Sequence, residues 1–154
     1  MILSSLDFIE KGMNVCILGP SDSGKSYLAR ALGVMACYNH SVLYTHCEKL
    51  LEELAAIKKT DYVKFKKKMK SISKLELLIL DDFLIHSITE ESEVKVLFDI
   101  LETRNENKMS TMVFSQRSPD SWTSLILNDE VSSNSVEKRV TKHFTVLISV
   151  PDGK

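Results

Sequence analysis

A three-layer α/β fold around five parallel strands is predicted by three features of this sequence. Short apolar runs of strand length alternate with stretches of helical periodicity. The runs are continuous rather than alternating, the pattern of strands buried on both faces. A glycine-bounded turn directly follows the first run and opens the first helical stretch.

Taken in order, the strands are Val15–Leu18, Val42–Thr45, Leu77–Leu80, Thr111–Phe114 and Phe144–Val150. A helix is predicted from about Ser26. Leu50, Leu51, Leu54 and Ile57 fall at helical spacing, as do Tyr62, Phe65, Met69 and Ile72, and both stripes are expected to face the core. Thr89-Glu90-Glu91 reads as the start of a further helix, with a Thr89 hydroxyl cap and acids near the positive end of the dipole. Val94, Leu97, Phe98 and Leu101 form its stripe. Strands joined by such helices need right-handed crossovers.

The turn after the first strand carries the chemistry. Gly19, Gly24, Lys25 and Ser26 fit G-x-x-x-x-G-K-[ST], and a strand before and a helix after are the context the motif requires. The two glycines let the backbone turn tightly, so that successive N–H groups point at phosphate oxygens. The helix N-terminus adds its dipole. The binding stretch is Gly19, Pro20, Ser21, Asp22, Ser23, Gly24, Lys25, Ser26 and Tyr27. Lys25 would reach the β- and γ-phosphates of a nucleotide, and Ser26 would ligate Mg²⁺. The fold class is thereby narrowed to a P-loop NTPase.

The third apolar run ends in Asp81-Asp82. Acids released at the C-terminal edge of a buried strand stand where α/β sheets bind ligands. Asp81 would hold Mg²⁺, and Asp82 would polarise the attacking water. Taken alone, the pair is equally a strand end with a helix cap; the phosphate loop upstream favours catalysis.

The bulk numbers bound the remainder. At 154 residues the chain reads as one domain with room for a sizeable core. Its net charge of −1 means that any nucleic-acid contact must come from a local patch. Residues 58–74 supply one, with eight lysines against a single acid, Asp61. Lys58, Lys59, Lys64, Lys66, Lys67, Lys68 and Lys70 are the candidate DNA contacts, as point charges suited to a phosphate backbone. A merely solvated helix face is the alternative. Cys16, Cys37 and Cys47 show no CxxC pair, which favours a reducing compartment, and Cys16 and Cys37 read as small core residues. No apolar run approaches the roughly 20 residues of a membrane span. Nor do the first residues form a signal-peptide core. A cytoplasmic protein with no membrane contact is expected. The four histidines have no ligand spacing, so no metal other than Mg²⁺ is predicted.

"LLILDDF", "STMVFSQRSPDSW" and "SVEKRVTKHFTVLI", in this order and spacing, resemble the IstB-like transposition-helper ATPases, close relatives of the DnaC-like replicative helicase loaders. The segment between the two nucleotide motifs fits as well, so the resemblance covers about residues 8 to 148. It implies an AAA+ core with strand order 5-1-4-3-2. It also implies ATP as ligand, assembly into homo-oligomers on DNA, and a transposase or a replicative helicase as partner. By position, Gln116, with Ser115 second, would be the first sensor of the γ-phosphate. Arg139 would be an arginine finger acting in trans on a neighbour's nucleotide. Trp122 matches a family tryptophan and reads as packing.

The departures are specific. Leu84 stands where the family continues "DDF" with glycine, and Glu137-Lys138 replace the residues before the family's arginine. The family's C-terminal Gly-Glu-Ser-x-Arg stretch has no counterpart. The phosphate loop arrives almost at once, so residues 1–154 read as a single AAA+ domain lacking the family's N-terminal region. The resulting expectation is an ATP-hydrolysing AAA+ protein, with Lys25, Asp82, Gln116 and Arg139 as catalytic residues, assisting transposition. Helicase loading, an ATP-binding module without turnover, and a P-loop small-molecule kinase are the alternatives. No clear lid or acceptor cluster supports the last of these.

Overall fold

The computed structural model describes residues 6–20 and 24–148. Five strands, β1 (Val15–Leu18), β2 (Val42–His46), β3 (Leu77–Asp81), β4 (Ser110–Ser115) and β5 (Phe144–Leu147), form one parallel sheet in the order 2-3-4-1-5. This is the predicted order seen from the other edge. The helices are α1 (Asp7–Glu10), α2 (Lys25–Cys37), α3 (Cys47–Thr60), α4 (Tyr62–Lys74), α5 (Glu91–Glu106), α6 (Trp122–Leu125) and α7 (Glu130–Val140).

The continuous apolar strands are explained by the pleat. Successive side chains point to opposite faces, so a strand covered on both sides needs apolar residues at every position. Ile17, Ile79, Met112 and Phe114 pack on one face with Phe8, Ala29, Leu32 and Ala36 from α1 and α2. Cys16, Leu78, Leu80 and Val113 pack on the other with Leu51, Leu54, Leu97 and Leu101 from α3 and α5, and with Trp122. These two layers are the core.

Two buried polar side chains tie down the N-terminal edge of the sheet. Asn14, just before β1, donates to the Asn105 carboxamide oxygen (2.7 Å) and the Arg139 carbonyl (3.0 Å), and its own oxygen accepts from the Thr111 N–H (3.0 Å). Arg104, near the end of α5, is fully buried. Its guanidinium donates to the Ile72 carbonyl (2.6 Å), the Ser110 carbonyl (2.7 Å) and the Thr111 hydroxyl (2.9 Å). It thereby fastens the end of α4 to the start of β4.

Three local expectations are corrected. Thr89 does not cap α5; the cap position is Glu90, whose side chain makes no capping bond. Tyr62 is 55% exposed rather than facing the core, because it opens α4 at the surface while Phe65 and Ile72 fill the seam. Cys37 is exposed at the end of α2, whereas Cys16 and Cys47 are buried, and burial pushes both buried thiols up to about 12. Among the described residues no helix is long and apolar enough to cross a membrane.

Candidate functional site

Parallel strands bring their C-terminal ends to one edge, and the sequence-predicted residues gather there. β1 runs into Gly19, whose N–H donates to the Ser115 carbonyl at the end of β4 (3.1 Å). The Phe83 N–H donates to the Phe114 carbonyl (2.8 Å), which draws the segment after β3 to the same place. Gly19, Asp81-Asp82 and Ser115-Gln116 thus lie along adjacent strand ends.

Ser21, Asp22 and Ser23 lie outside the described residues. Gly24 precedes α2 at φ +88°, a backbone region that side chains disfavour, so a glycine is required there. Gly19 takes no such conformation. Lys25 is buried at 7% exposure and its Nζ donates to the Pro20 carbonyl (2.7 Å), which folds the ammonium back over the loop. Ser26 is half-buried, and Tyr27 is 79% exposed.

The acid pair is held tightly. Asp81 is 1% exposed; its carboxylate accepts the Asp82 N–H (2.9 Å) and the Tyr44 hydroxyl. Asp82 adopts φ +52°, which Asp tolerates better than most residues, and its carboxylate meets His46 Nδ1 at 2.7 Å. His46, Asp81 and Asp82 each offer a ligand atom, and these atoms lie within 4.8 Å of one another. Two carboxylates retaining free lone pairs fit a hard divalent cation such as Mg²⁺. Sequence reading missed His46 and Tyr44. The predicted order held the signal: strand 2 neighbours strand 3, and His46 pairs with Asp81 in register.

Ser115 and Gln116 separate cleanly. The buried Ser115 hydroxyl donates to the Phe83 carbonyl (2.7 Å) and accepts from the Arg117 N–H (3.0 Å), so it is spent on structure. Gln116 is exposed. Trp122 packs edge-on against Phe83 at 5.2 Å, and its indole N–H donates to the Arg117 carbonyl (3.0 Å), a packing role as predicted.

Leu84 sits at φ +59° and is 3% exposed. A left-handed backbone is one that glycine adopts without the strain a leucine side chain meets. We expect Leu84→Gly to be more stable than Leu84→Ala by roughly 1 kcal/mol, an inversion of the usual order. Urea unfolding of the two variants checks it, and equal midpoints would contradict the strain argument.

Arg139 is not brought to this edge. Its carbonyl accepts from Asn14, which precedes β1, so it lies at the opposite end of the sheet from its own phosphate loop. The lysine-rich segment spans two helices rather than one, with Asp61 between them accepting from the Lys64 N–H (3.0 Å). Lys64, Lys66, Lys67, Lys70 and Lys74 are exposed, with Lys66 and Lys70 bordering a groove beside Phe65 and Ile72. Lys68 pairs with Glu53 at 2.7 Å, and Lys58 lies over the Phe65 ring.

A family model described as IstB-like ATP binding protein matches residues 1–152. The chain belongs to this family. Among IstB-like relatives, an insertion sequence ATP-binding protein of Sinorhizobium fredii is 39% identical over 122 residues, covering 79% of this chain and 48% of its own. The insertion sequence IS21 ATP-binding protein of Pseudomonas aeruginosa is 31% identical over 146 residues, covering 94% and 53%. The IstB-like chain spans about half the length of the curated relatives it matches. Its fold is shared with AMPPCP-bound DnaA of Aquifex aeolicus (TM-score 0.79, 19% identity, 98% of this chain and 45% of that one). It is also shared with the DnaC helicase loader (TM-score 0.72, 19% identity, 97% and 88%). The three-layer α/β fold and strand order expected from the sequence are therefore the observed ones.

Proposed function

We propose that this chain binds ATP with Mg²⁺ and hydrolyses it, as an AAA+ protein assisting DNA transposition in concert with a transposase. The observation that carries the reading is the meeting of Lys25, Ser26, Asp81, Asp82 and Gln116 at one sheet edge within an IstB-like chain. The relatives being insertion sequence proteins favours a transposase over a replicative helicase as partner.

Each residue has a defined task. Lys25 and the backbone N–H groups of the loop neutralise and orient the phosphates. Ser26 and Asp81 would hold Mg²⁺, which would supply charge neutralisation at the phosphates. Asp82 accepts hydrogen bonding from the attacking water, and His46 fixes the direction of its carboxylate through the 2.7 Å contact. Gln116 orients the γ-phosphate and water. Arg139 stands too far from its own loop to act on it, which favours action on the nucleotide of a neighbouring copy. The solvent-facing lysines of α4, with Lys59, supply the DNA contact.

The test is steady-state ATP hydrolysis against protein concentration, with and without duplex DNA. The rate per chain is expected to rise with concentration, and Arg139→Ala to remove that rise, at a cost of about 10³ in rate, while ATP affinity stays unchanged. Tight ATP binding with no phosphate release at any concentration, even with DNA, would instead favour a binding module without turnover.

A further inference from the structure

Arg139 is the only proposed catalytic group whose surroundings the nucleotide chemistry leaves unexplained, and those surroundings are built. Its Nε donates to the Glu102 carboxylate on α5. Its Nη1 donates to the Ser135 carbonyl on its own helix (3.0 Å). The guanidinium lies over the Phe98 ring at 4.4 Å from the centroid, one helical turn before Glu102. Three elements of hold on one side chain fix its position and its plane. A planar guanidinium carries five N–H donors, and among the described residues only the Nε–H and one Nη1 donor are engaged. The Nη2 end has no hydrogen-bond partner among the described residues. Arg139 borders an open groove of about 410 Å³ with Glu102, Asn105, Glu106, Lys138 and Lys142, so an incoming group can reach it.

We propose that Glu102 is a positioning residue: with Phe98 it holds the Arg139 guanidinium so that its free end faces the terminal phosphate of a nucleotide bound to a neighbouring copy. This rests on the reading of Arg139 as acting in trans. The physical reason is pre-organisation. A free arginine loses most of its rotamer freedom when it docks on a phosphate, whereas one already fixed by a ring face and a carboxylate does not. Because Glu102 takes the Nε edge, the guanidinium must approach the phosphate through its Nη donors. Glu102 touches neither nucleotide nor water itself. Its side chain is 38% exposed, so truncating it leaves the core intact.

Mixing variants isolates the effect. An Asp82→Asn chain is expected to bind ATP without turning it over and can only lend its Arg139. An Arg139→Ala chain can hydrolyse only with a borrowed arginine. Together they are expected to restore hydrolysis that neither has alone. Placing Glu102→Ala in the lending chain is expected to lower the mixed rate about tenfold, with little change in KM. Placing it in the borrowing chain is expected to alter the rate by less than about twofold, because there is no arginine left to position. Glu102→Gln in the lending chain, which keeps an acceptor oxygen, is expected to recover part of the loss. Equal losses in both placements would make Glu102 a structural residue and overturn the proposal. An unchanged or increased rate from the lending-chain placement would overturn it as well. No restoration by the parental pair would overturn the in-trans reading and the proposal with it.

Discussion

Lys25→Ala is expected to lose ATP binding and hydrolysis together, each by about 100-fold or more, while Asp82→Asn keeps binding and loses only turnover. The difference follows from what each side chain faces. Lys25 is buried with its ammonium on the Pro20 carbonyl, and in the proposed function it supplies the charge that ground-state phosphates already require. Asp82 stands just beyond the end of β3 with its carboxylate held by His46, and in the proposed function it acts only when water attacks. Equilibrium binding of a fluorescent ATP analogue, set beside single-turnover phosphate release, separates the two. If Lys25→Ala binds as tightly as the wild type, the loop is a structural turn and the proposed function fails at its first step.

Arg104→Ala is expected to be the most damaging single change to stability, at about 3–5 kcal/mol. The substitution leaves the Ile72 and Ser110 carbonyls and the Thr111 hydroxyl without their buried donor, and opens a void between α4, α5 and β4. For a chain of this size that loss corresponds to a melting point lower by roughly 10 °C or more. Burial lowers the Arg104 pKa to about 10, so the group is still charged at neutral pH and its three bonds are charge-assisted. Arg104→Lys is expected to recover only a small part, because one ammonium cannot reach three acceptors spread around a planar fork. Thermal and urea unfolding of both variants measure this. A change in melting point of a degree or two would mean that the neighbouring backbone finds other partners.

What was legible in the sequence depended on how local the physics was. The three inner strands were readable because burial on both faces demands unbroken apolar runs, and Val15–Leu18 and Leu77–Leu80 are such runs, whereas the edge strands β2 and β5 are only partly buried. The phosphate-loop motif was readable because it is written in eight consecutive residues, Gly19 to Ser26, between a strand and a helix. The end of strand 2 was placed one residue short, at Thr45, and that residue is His46. The Thr89 cap was misplaced by one residue for a similar reason: several polar residues in a row can each start a helix, and packing selects among them.

By itself the sequence determined the fold class and, through family resemblance, the strand order, and it marked the phosphate-loop motif, the acid pair and Gln116 as candidate site residues. Only the tertiary structure decided what surrounds them. It set His46 against Asp82 and Tyr44 against Asp81, spent Ser115 on the Phe83 carbonyl, buried Arg104 among backbone carbonyls, and seated Arg139 on Phe98 and Glu102 at the far end of the sheet. These contacts join residues roughly 30 or more positions apart in all but a few cases, and no periodicity or motif encodes them. They exist because parallel strands align their ends and helices cross over them, so partners are chosen by the geometry of the sheet and not by distance along the chain.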